Sequence, residues 1–289
     1  MRLHARKGMA PWPQVQIVWG PGFAAAPHRH HCVQLLMTLR GSLRIRGAPQ
    51  KRWRKCPAVW IRPDALHELD ARGGTLLIGF ISAESDLGAA LCDHIGSAIQ
   101  CVPAREVGRW RIELAPTPNE ARVERWLLKF LLRGQRTVAI HPGVLRVLSY
   151  LQDSPSMLED LSLKKLADIA ALSPSRFMHA FTESVGVPVR PYILWLRLQQ
   201  AACDMTEGAT VTSAAHRAGF SDGAHLTRTF RRMLGATPSD LALLNRVTLG
   251  FSLEDLPPSE ATPRQAKLVL ASAAPKPQIA HAGAAPQSG

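Results

Sequence analysis

The helical half of the chain, from about residue 141 to 245, contains an internal repeat. Its second part aligns with its first at a displacement of 49 residues in one stretch and 48 in another. The aligned pairs are Phe177 with Leu226, Phe181 with Phe230, Gly186 with Gly235, Ala167 with Ala215, Ala170 with Ala218 and Ser173 with Ser221. Each copy therefore predicts a helix, a tight turn and a second helix with two apolar residues four positions apart.

This arrangement is the plan of a helix-turn-helix unit. The first helix supports the second, and the second presents its N-terminal half to a major groove. Between the copies, VRPYILWLRLQQAACDM predicts a helix of about 17 residues, which is about 25 Å long. That length suits two reading helices set about one DNA turn, ~34 Å, apart. One chain is then expected to contact two successive major grooves of double-stranded DNA without dimerising.

The exposed face of each second helix supplies the candidate DNA contacts. Arg228 is the foremost base reader, because a guanidinium pairs bidentately with guanine O6 and N7. The alternative to DNA contact is that the arginines only form a basic helix end exposed to solvent. The predicted base readers are Ser175, Met178, His179, Gly223, Ala224, Thr227 and Arg228, and the predicted backbone contacts are Arg176, Thr182, Arg231 and Arg232.

From about residue 142 to 241 the chain resembles the DNA-binding domain of AraC-family transcriptional regulators, and GFSDGAHLTRTFRRMLGATP is similar to the signature of that family. Departures from the family pattern are Ala224, Leu226, the pair Leu241 and Ala242, and His179 in the first unit. The resemblance implies a transcriptional regulator and not an enzyme. RNA polymerase is a further partner if the protein activates transcription.

The first part of the chain, from Gln14 to about Ile81, is predicted to form short strands. Alternation in SLRIRG and β-branched content elsewhere favour an antiparallel sandwich or small barrel. Helices are predicted at 86–99 and 119–133; the apolar stripe around Trp126 packs on its own domain or forms a homodimer. The fold class is therefore α+β, with a β-rich N-terminal domain, following helices, and a C-terminal all-α domain of two helix-turn-helix units joined by a long helix.

Three histidines stand out in this β-rich half. The spacing within residues 22–41 resembles the first cupin motif, with Gln34 where glutamate is usual, and residues 63–67 resemble a shortened second motif. The resemblance implies a cupin-like barrel whose side chains bind a small-molecule effector or a divalent metal such as iron, zinc or nickel; no ligand role is the third alternative. A rival function is a cupin-type metalloenzyme fused to a DNA-binding domain, although Gln34 is a weak ligand. The candidate residues are His28, His30, Gln34 and His67 for metal or effector, and Trp60 as a pocket wall.

The net charge of +13 suggests a polyanionic partner, but its distribution does not favour the helical half. Residues 1–137 hold 21 Lys and Arg against 10 Asp and Glu, whereas residues 138–246 hold 11 against 9. Three roles for the basic excess stay open: binding of an anionic effector, contact with the DNA backbone, and solubility alone. DNA binding by the helical half must therefore depend on where individual arginines lie.

Cysteine usage and hydropathy limit the remaining possibilities. The five cysteines are scattered without a Cys-x-x-Cys pair, so they are interpreted as reduced thiols, with Cys203 in the core. Neither a membrane span nor a signal peptide is predicted, so no membrane partner and a cytoplasmic location are expected. The predicted division is 1–84 effector-binding domain, 85–137 helical region and dimerisation element, 138–246 DNA-binding domain, and 247–289 disordered Ala/Pro-rich tail.

Overall fold

Ten strands form two antiparallel sheets in the computed structural model. The structure describes residues 15–47, 52–115, 122, 126, 140–153, 161–242 and 244–249, all within one compact unit that spans Ala5–Gly250. The strands are β1 Val15–Pro21, β2 Ala24–His28, β3 Cys32–Arg40, β4 Leu43–Gly47, β5 Arg54–Cys56, β6 Ala58–Ile61, β7 His67–Asp70, β8 Thr75–Ser82, β9 Ile99–Cys101 and β10 Asn245–Leu249.

The two sheets enclose the core of the β domain, which we define as residues 15–115. The larger sheet has the order β10-β1-β8-β3-β6-β9 and the smaller the order β2-β7-β4-β5. Leu36 lies opposite Val59 and Ile78, and these three share the inner face of the larger sheet. They pack in one buried cluster with Leu43 and Ile45 of the smaller sheet. The predicted antiparallel β domain is therefore confirmed.

After β8 most of the described chain is helical, with β9 between the first two helices and β10 after the last. They are α1 Asp86–His94, α2 Ala104–Leu114, α3 Pro142–Asp153, α4 Leu163–Ala170, α5 Pro174–Val185, α6 Val189–Thr206, α7 Val211–Arg217, α8 Gly223–Leu234 and α9 Pro238–Ala242. We call residues 140–242 the helical domain. Within it α4 with α5, and α7 with α8, form two helix-turn-helix units joined by α6, as the repeat predicted.

The sequence repeat is also a structural repeat. The aligned apolar residues Phe177, Phe181, Leu226 and Phe230 are each 0% exposed. In the turn of the second unit, Gly219 has a φ of 75°, a left-handed conformation that suits glycine. Ala171 takes the matching position in the first unit with a φ of 53°. Both turns therefore contain a left-handed residue at the same position of the repeat.

The connecting helix α6 has 18 residues and packs on both the helical domain and the β domain. Asp204, which is buried, accepts hydrogen bonds from Gln200 Nε2 at 2.8 Å and from Arg217 Nε of α7 at 2.8 Å. On the opposite side, the Tyr192 hydroxyl donates to Glu84 of the β domain at 2.6 Å. These contacts fix the second helix-turn-helix unit to α6, and α6 to the sandwich.

Three expectations need correction or lie outside the described residues. Cys56 and Cys101 form a disulfide that joins β5 of one sheet to β9 of the other, so the interpretation of five reduced thiols is wrong. The spacing gave no sign of this pair because the two strand edges meet only when the sheets pack. Cys203 is half-buried and not a core residue.

The first residues of the predicted tail belong to a strand. Residues 247–249 belong to β10, which pairs with β1 and extends the larger sheet, while residues 250–289 lie outside the described residues. Of the proposed dimerisation helix, Arg122 and Trp126 are described. Trp126 is 1% exposed, with its ring 5.6 Å from that of Trp110 in α2, so its side chain packs within its own chain. Among the described helices, none is long and apolar enough to cross a membrane.

Candidate nucleic-acid interface and histidine site

The second reading helix, α8, is held at both ends by its own sequence. Asp222 caps its N-terminus by accepting a hydrogen bond from the His225 amide at 2.6 Å. That bond, with another from the Ser221 hydroxyl and the nearby charge of Arg228, lowers the pKa of the Asp222 carboxyl. Gly235 ends the helix in the left-handed conformation with a φ of 64°. The side chains between these caps therefore have defined directions.

The outward face of α8 carries the predicted contacts. Ala224, Arg228, Arg231 and Arg232 are exposed, whereas Thr227 is half-buried. The Thr227 hydroxyl donates to the Gly223 carbonyl at 2.8 Å. Since that bond occupies the hydroxyl proton, the methyl group and the oxygen lone pairs remain for DNA. The face near the helix start is thus small and basic, as a major groove requires.

The first reading helix, α5, has the same construction. Ser173 caps it by accepting from the Arg176 amide, and Gly186 ends it with a φ of 84°. Ser175, Arg176, Met178, His179 and Thr182 are all exposed. Met178 is 42% exposed, unusual for a large apolar side chain, and it suits contact with a thymine methyl group. The two reading faces therefore differ, because α5 exposes the apolar Met178 among polar side chains whereas α8 exposes Arg228 beside small residues.

Three buried histidines converge in the β domain, and we call them the histidine site. His28 ends β2, His67 begins β7 directly opposite it, and His30 precedes β3. Each offers one ring nitrogen, and these atoms all lie within 4.8 Å of one another. The resemblance to the two cupin motifs implied this grouping, and the structure brings all three together.

The hydrogen bonds of these rings leave nitrogen lone pairs inside the cluster. His28 Nδ1 donates to the Ala26 carbonyl at 2.7 Å, and His67 Nδ1 donates to the Ala65 carbonyl at 2.8 Å. In the neutral rings, Nε2 then carries the lone pair. His30 Nδ1 lies 3.0 Å from the Cys32 sulfur, which accepts a hydrogen bond from it in the tautomer protonated at Nδ1. Outer hydrogen bonds of this kind orient histidines that bind metals.

Electrostatics and unpaired atoms also fit a metal. Burial lowers the pKa of all three histidines, to about 3 for His67, where the neighbouring His28 adds to the effect. Neutral imidazoles are the form that binds metals. Among the described residues, His30 Nε2, His67 Nε2 and Gln34 Oε1 are buried without a hydrogen-bond partner. A divalent ion that prefers imidazole, such as zinc, nickel or iron, fits this donor set.

Trp60 does not join the histidine site. It lies opposite Leu35 on the outer face of the larger sheet, whereas Gln34 and Phe80 lie on the inner face with the histidines. Its ring packs on Trp110, at 6.4 Å between centroids, and lines a separate cavity of about 360 Å³ between α1, β9 and α2. Grouping Trp60 with the histidines was therefore wrong, because strand alternation sends neighbouring side chains to opposite faces.

The helical domain covers the histidine site. The His30 ring stacks on Trp195 of α6, with centroids 5.6 Å apart and an interplanar angle of 27°. The Ala26 amide donates to the carbonyl of Gly235, the residue that ends α8, at 2.8 Å. His31 Nε2 donates to the Val185 carbonyl in the last turn of α5 at 2.9 Å. Three neighbours of this site were not predicted from the sequence: His31, Trp195 and Gly235. The HRHH run indicates His31, and no local pattern indicates the other two.

Comparisons with known proteins agree with this architecture. A family model described as a helix-turn-helix domain matches residues 166–242. A putative AraC-like transcription regulator of Streptomyces lividans is 34% identical over 100 residues, which are 34% of this chain and 32% of that protein. An uncharacterized HTH-type transcriptional regulator of Staphylococcus aureus is 37% identical over 81 residues, 28% of this chain. That match spans 11% of the Staphylococcus protein.

Solved structures cover both domains. An apo ToxT variant from Vibrio cholerae superposes with a TM-score of 0.54 at 11% identity, over 81% of this chain and 99% of that one. Wild-type ToxT bound to an unsaturated fatty acid gives a TM-score of 0.51 at 11% identity, over 80% and 95%. These likenesses establish the fold.

The fold and site define a two-domain α+β protein in which a β sandwich precedes a double helix-turn-helix domain. Its helix-turn-helix domain is of the AraC type, as the sequence resemblance implied.

Proposed function

We propose that the protein is a sequence-specific DNA-binding transcriptional regulator. The observation that carries the proposal is the duplicated unit, in which two capped helices expose their N-terminal faces from one rigid connecting helix. Arg228 of α8 reads a base edge, and Met178 and His179 of α5 read the neighbouring groove.

The remaining candidate contacts form two groups. Near the helix starts, Ser175, Gly223, Ala224 and Thr227 lie where side chains and backbone approach base edges. Arg176, Thr182, Arg231 and Arg232 contact phosphates, which adds affinity without sequence choice. Selection of bound duplexes from a random pool tests the proposal. Recovery of a shared sequence supports it, and recovery of unrelated sequences contradicts it.

The N-terminal β domain controls DNA binding through a ligand at the histidine site. ToxT holds a fatty acid in one of its structures, but a likeness at 11% identity concerns the fold. The ligand of this chain is therefore argued from its own residues. Three neutral histidines with free Nε2 lone pairs fit a divalent transition metal better than an organic molecule. His28, His30 and His67 hold the ion, and Gln34, whose buried Oε1 has no hydrogen-bond partner, is the candidate fourth ligand.

A metalloenzyme fused to a DNA-binding domain is the second candidate, since a three-histidine site also suits catalysis. The stacked ring of Trp195 and the contact between Gly235 and the strand before His30 close this site on the side of the helical domain. A substrate therefore has no evident approach from that side, which favours regulation. The test is to remove the bound metal and to measure hydrolytic and oxidative turnover before and after. Turnover that does not fall agrees with the regulator.

A further inference from the structure

One short segment of the β domain touches the C-terminal ends of both reading helices. We call residues 26–31 the histidine segment. At one end, the Ala26 amide donates to the Gly235 carbonyl, where α8 stops. At the other end, His31 donates to the Val185 carbonyl, in the last turn of α5. The segment therefore spans the two helix-turn-helix units from outside the helical domain.

The same segment supplies two of the three metal-binding residues. His28 and His30 lie between its two attachment points, and the His30 ring also stacks on Trp195 of the connecting helix. The His31 ring is fixed on its other side as well, because Nδ1 donates to Asp64 at 2.7 Å. Both ligand residues of the segment thus lie between its two helix attachments, within six consecutive residues.

From this arrangement we infer that a metal at the histidine site clamps both reading helices in place, so that metal binding and DNA binding strengthen each other. The inference rests on the proposed metal site and names how it regulates DNA binding. The reading faces themselves lie at the opposite, N-terminal ends of the helices and stay exposed. The clamp therefore orders the helices without covering the residues that meet DNA.

Packing at Gly235 explains why the attachment transmits a change. A Cβ atom at this position would overlap the Ala26 carbonyl and the His28 ring, so the segment and the helix end lie in direct contact. Zn–N bonds of about 2.0–2.1 Å place two tetrahedral nitrogen ligands roughly 3.3 Å apart. Ligation therefore draws together any pair within the 4.8 Å cluster that stands further apart. Ordering both helices before DNA arrives removes part of the entropy cost of binding.

The test uses the full chain, stripped of metal, with Zn²⁺ as the probe and a duplex obtained by selection. Fluorescence anisotropy measures duplex affinity with and without one equivalent of Zn²⁺, and titration measures Zn²⁺ affinity with and without duplex. We expect Zn²⁺ to tighten duplex binding on the order of tenfold, and duplex to tighten Zn²⁺ binding by the same factor. Stoichiometric Zn²⁺ binding that leaves duplex affinity unchanged, or weakens it, overturns the inference.

Two glycines provide a matched pair of variants. Gly235 and Gly208 both have a positive φ, 64° and 95°, but nothing lies within 4 Å of a Cβ at Gly208. Gly235→Ala should abolish the tenfold coupling, whereas Gly208→Ala, with the same kind of backbone strain, should keep it. A second variant, His31→Ala, keeps the test valid if Gly235→Ala does not fold. It removes the hydrogen bond to α5 and should also reduce the coupling. Full coupling in His31→Ala overturns the inference.

The outcomes separate the proposals. A protein that takes up no Zn²⁺ at the histidines disproves the metal site, and a protein without a preferred duplex disproves the DNA-reading function. A protein that binds both ligands independently disproves the clamp alone.

Discussion

His31 of the β domain donates a hydrogen bond to the carbonyl of Val185, in the last turn of the first reading helix, at 2.9 Å. Burial alone would lower the pKa of His31. The hydrogen bond to Asp64 and the charges of Asp64 and Glu84 outweigh burial and raise the pKa. A positive ring at this helix end also interacts favourably with the helix dipole. The contact joins the β domain to the first reading helix through one side chain.

Arg228→Ala tests the assignment of base reading. The arginine is exposed near the start of α8, so its loss should remove discrimination at one base position, worth about 1–3 kcal/mol. Repeated selection from the random pool measures this as a position that becomes degenerate. Retained preference, with a change only in salt dependence, would mean that Arg228 contacts phosphate.

Arg232→Ala serves as the comparison on the same helix. It is exposed one turn further along, where phosphate is the expected target. Binding should weaken for all sequences alike, and the slope of log K against log salt should fall by about 1. A variant that changed the preferred sequence would assign Arg232 a base contact.

His67→Ala tests the metal site. Since His67 supplies one of three ligands, bound metal measured by elemental analysis of the purified full chain should fall from about one equivalent to near zero. His94→Ala is the control, because His94 is exposed at the end of α1, outside the cluster. Equal metal content in the two variants would contradict the site.

Ser173→Ala tests how far the first reading helix depends on its cap. The hydroxyl accepts from the Arg176 amide, so its loss should lower the free energy of unfolding by about 1 kcal/mol. Chemical denaturation measures the change. Ser175→Ala, an exposed serine two positions along, should change stability by less than about 0.5 kcal/mol. Similar effects from both substitutions would show that the cap contributes little.

Reduction of the Cys56–Cys101 disulfide should destabilise the β domain. The bond closes a loop between residues 45 positions apart, for which chain-entropy arguments give up to about 4 kcal/mol. Denaturation with and without reductant measures the loss of stability. The control is Cys92→Ser, which changes a free cysteine and should show the same loss on reduction as the unaltered protein. Five free thiols by mass spectrometry of unreduced protein would contradict the bond.

Local pattern predicted much of the helical domain. Phe177, Phe181, Leu226 and Phe230 recur at helical spacing, and Ser173 and Gly235 bear the chemistry of helix ends. Each of these signals acts over a few residues, so sequence reasoning located both units. The spacing of His28, His30 and His67 likewise predicted a shared site, because it resembles a known arrangement of strands.

Long-range contacts determined the rest, and no local pattern could reveal them. Trp60 does not line the predicted pocket, because side chains alternate along β6 and its own points to the outer face of the sheet. Cys56 and Cys101 are bonded because β5 and β9, the edge strands of the two sheets, lie side by side.

The sequence by itself determined the two reading helices, since their apolar residues recur at helical spacing along the chain, and its resemblance to the cupin motifs implied the grouping of the three histidines. Only the tertiary structure decided that the helical domain covers the histidine site, with Trp195 against His30 and Gly235 against the strand before it. Those contacts join residues more than 160 positions apart, where packing and not periodicity sets the partner.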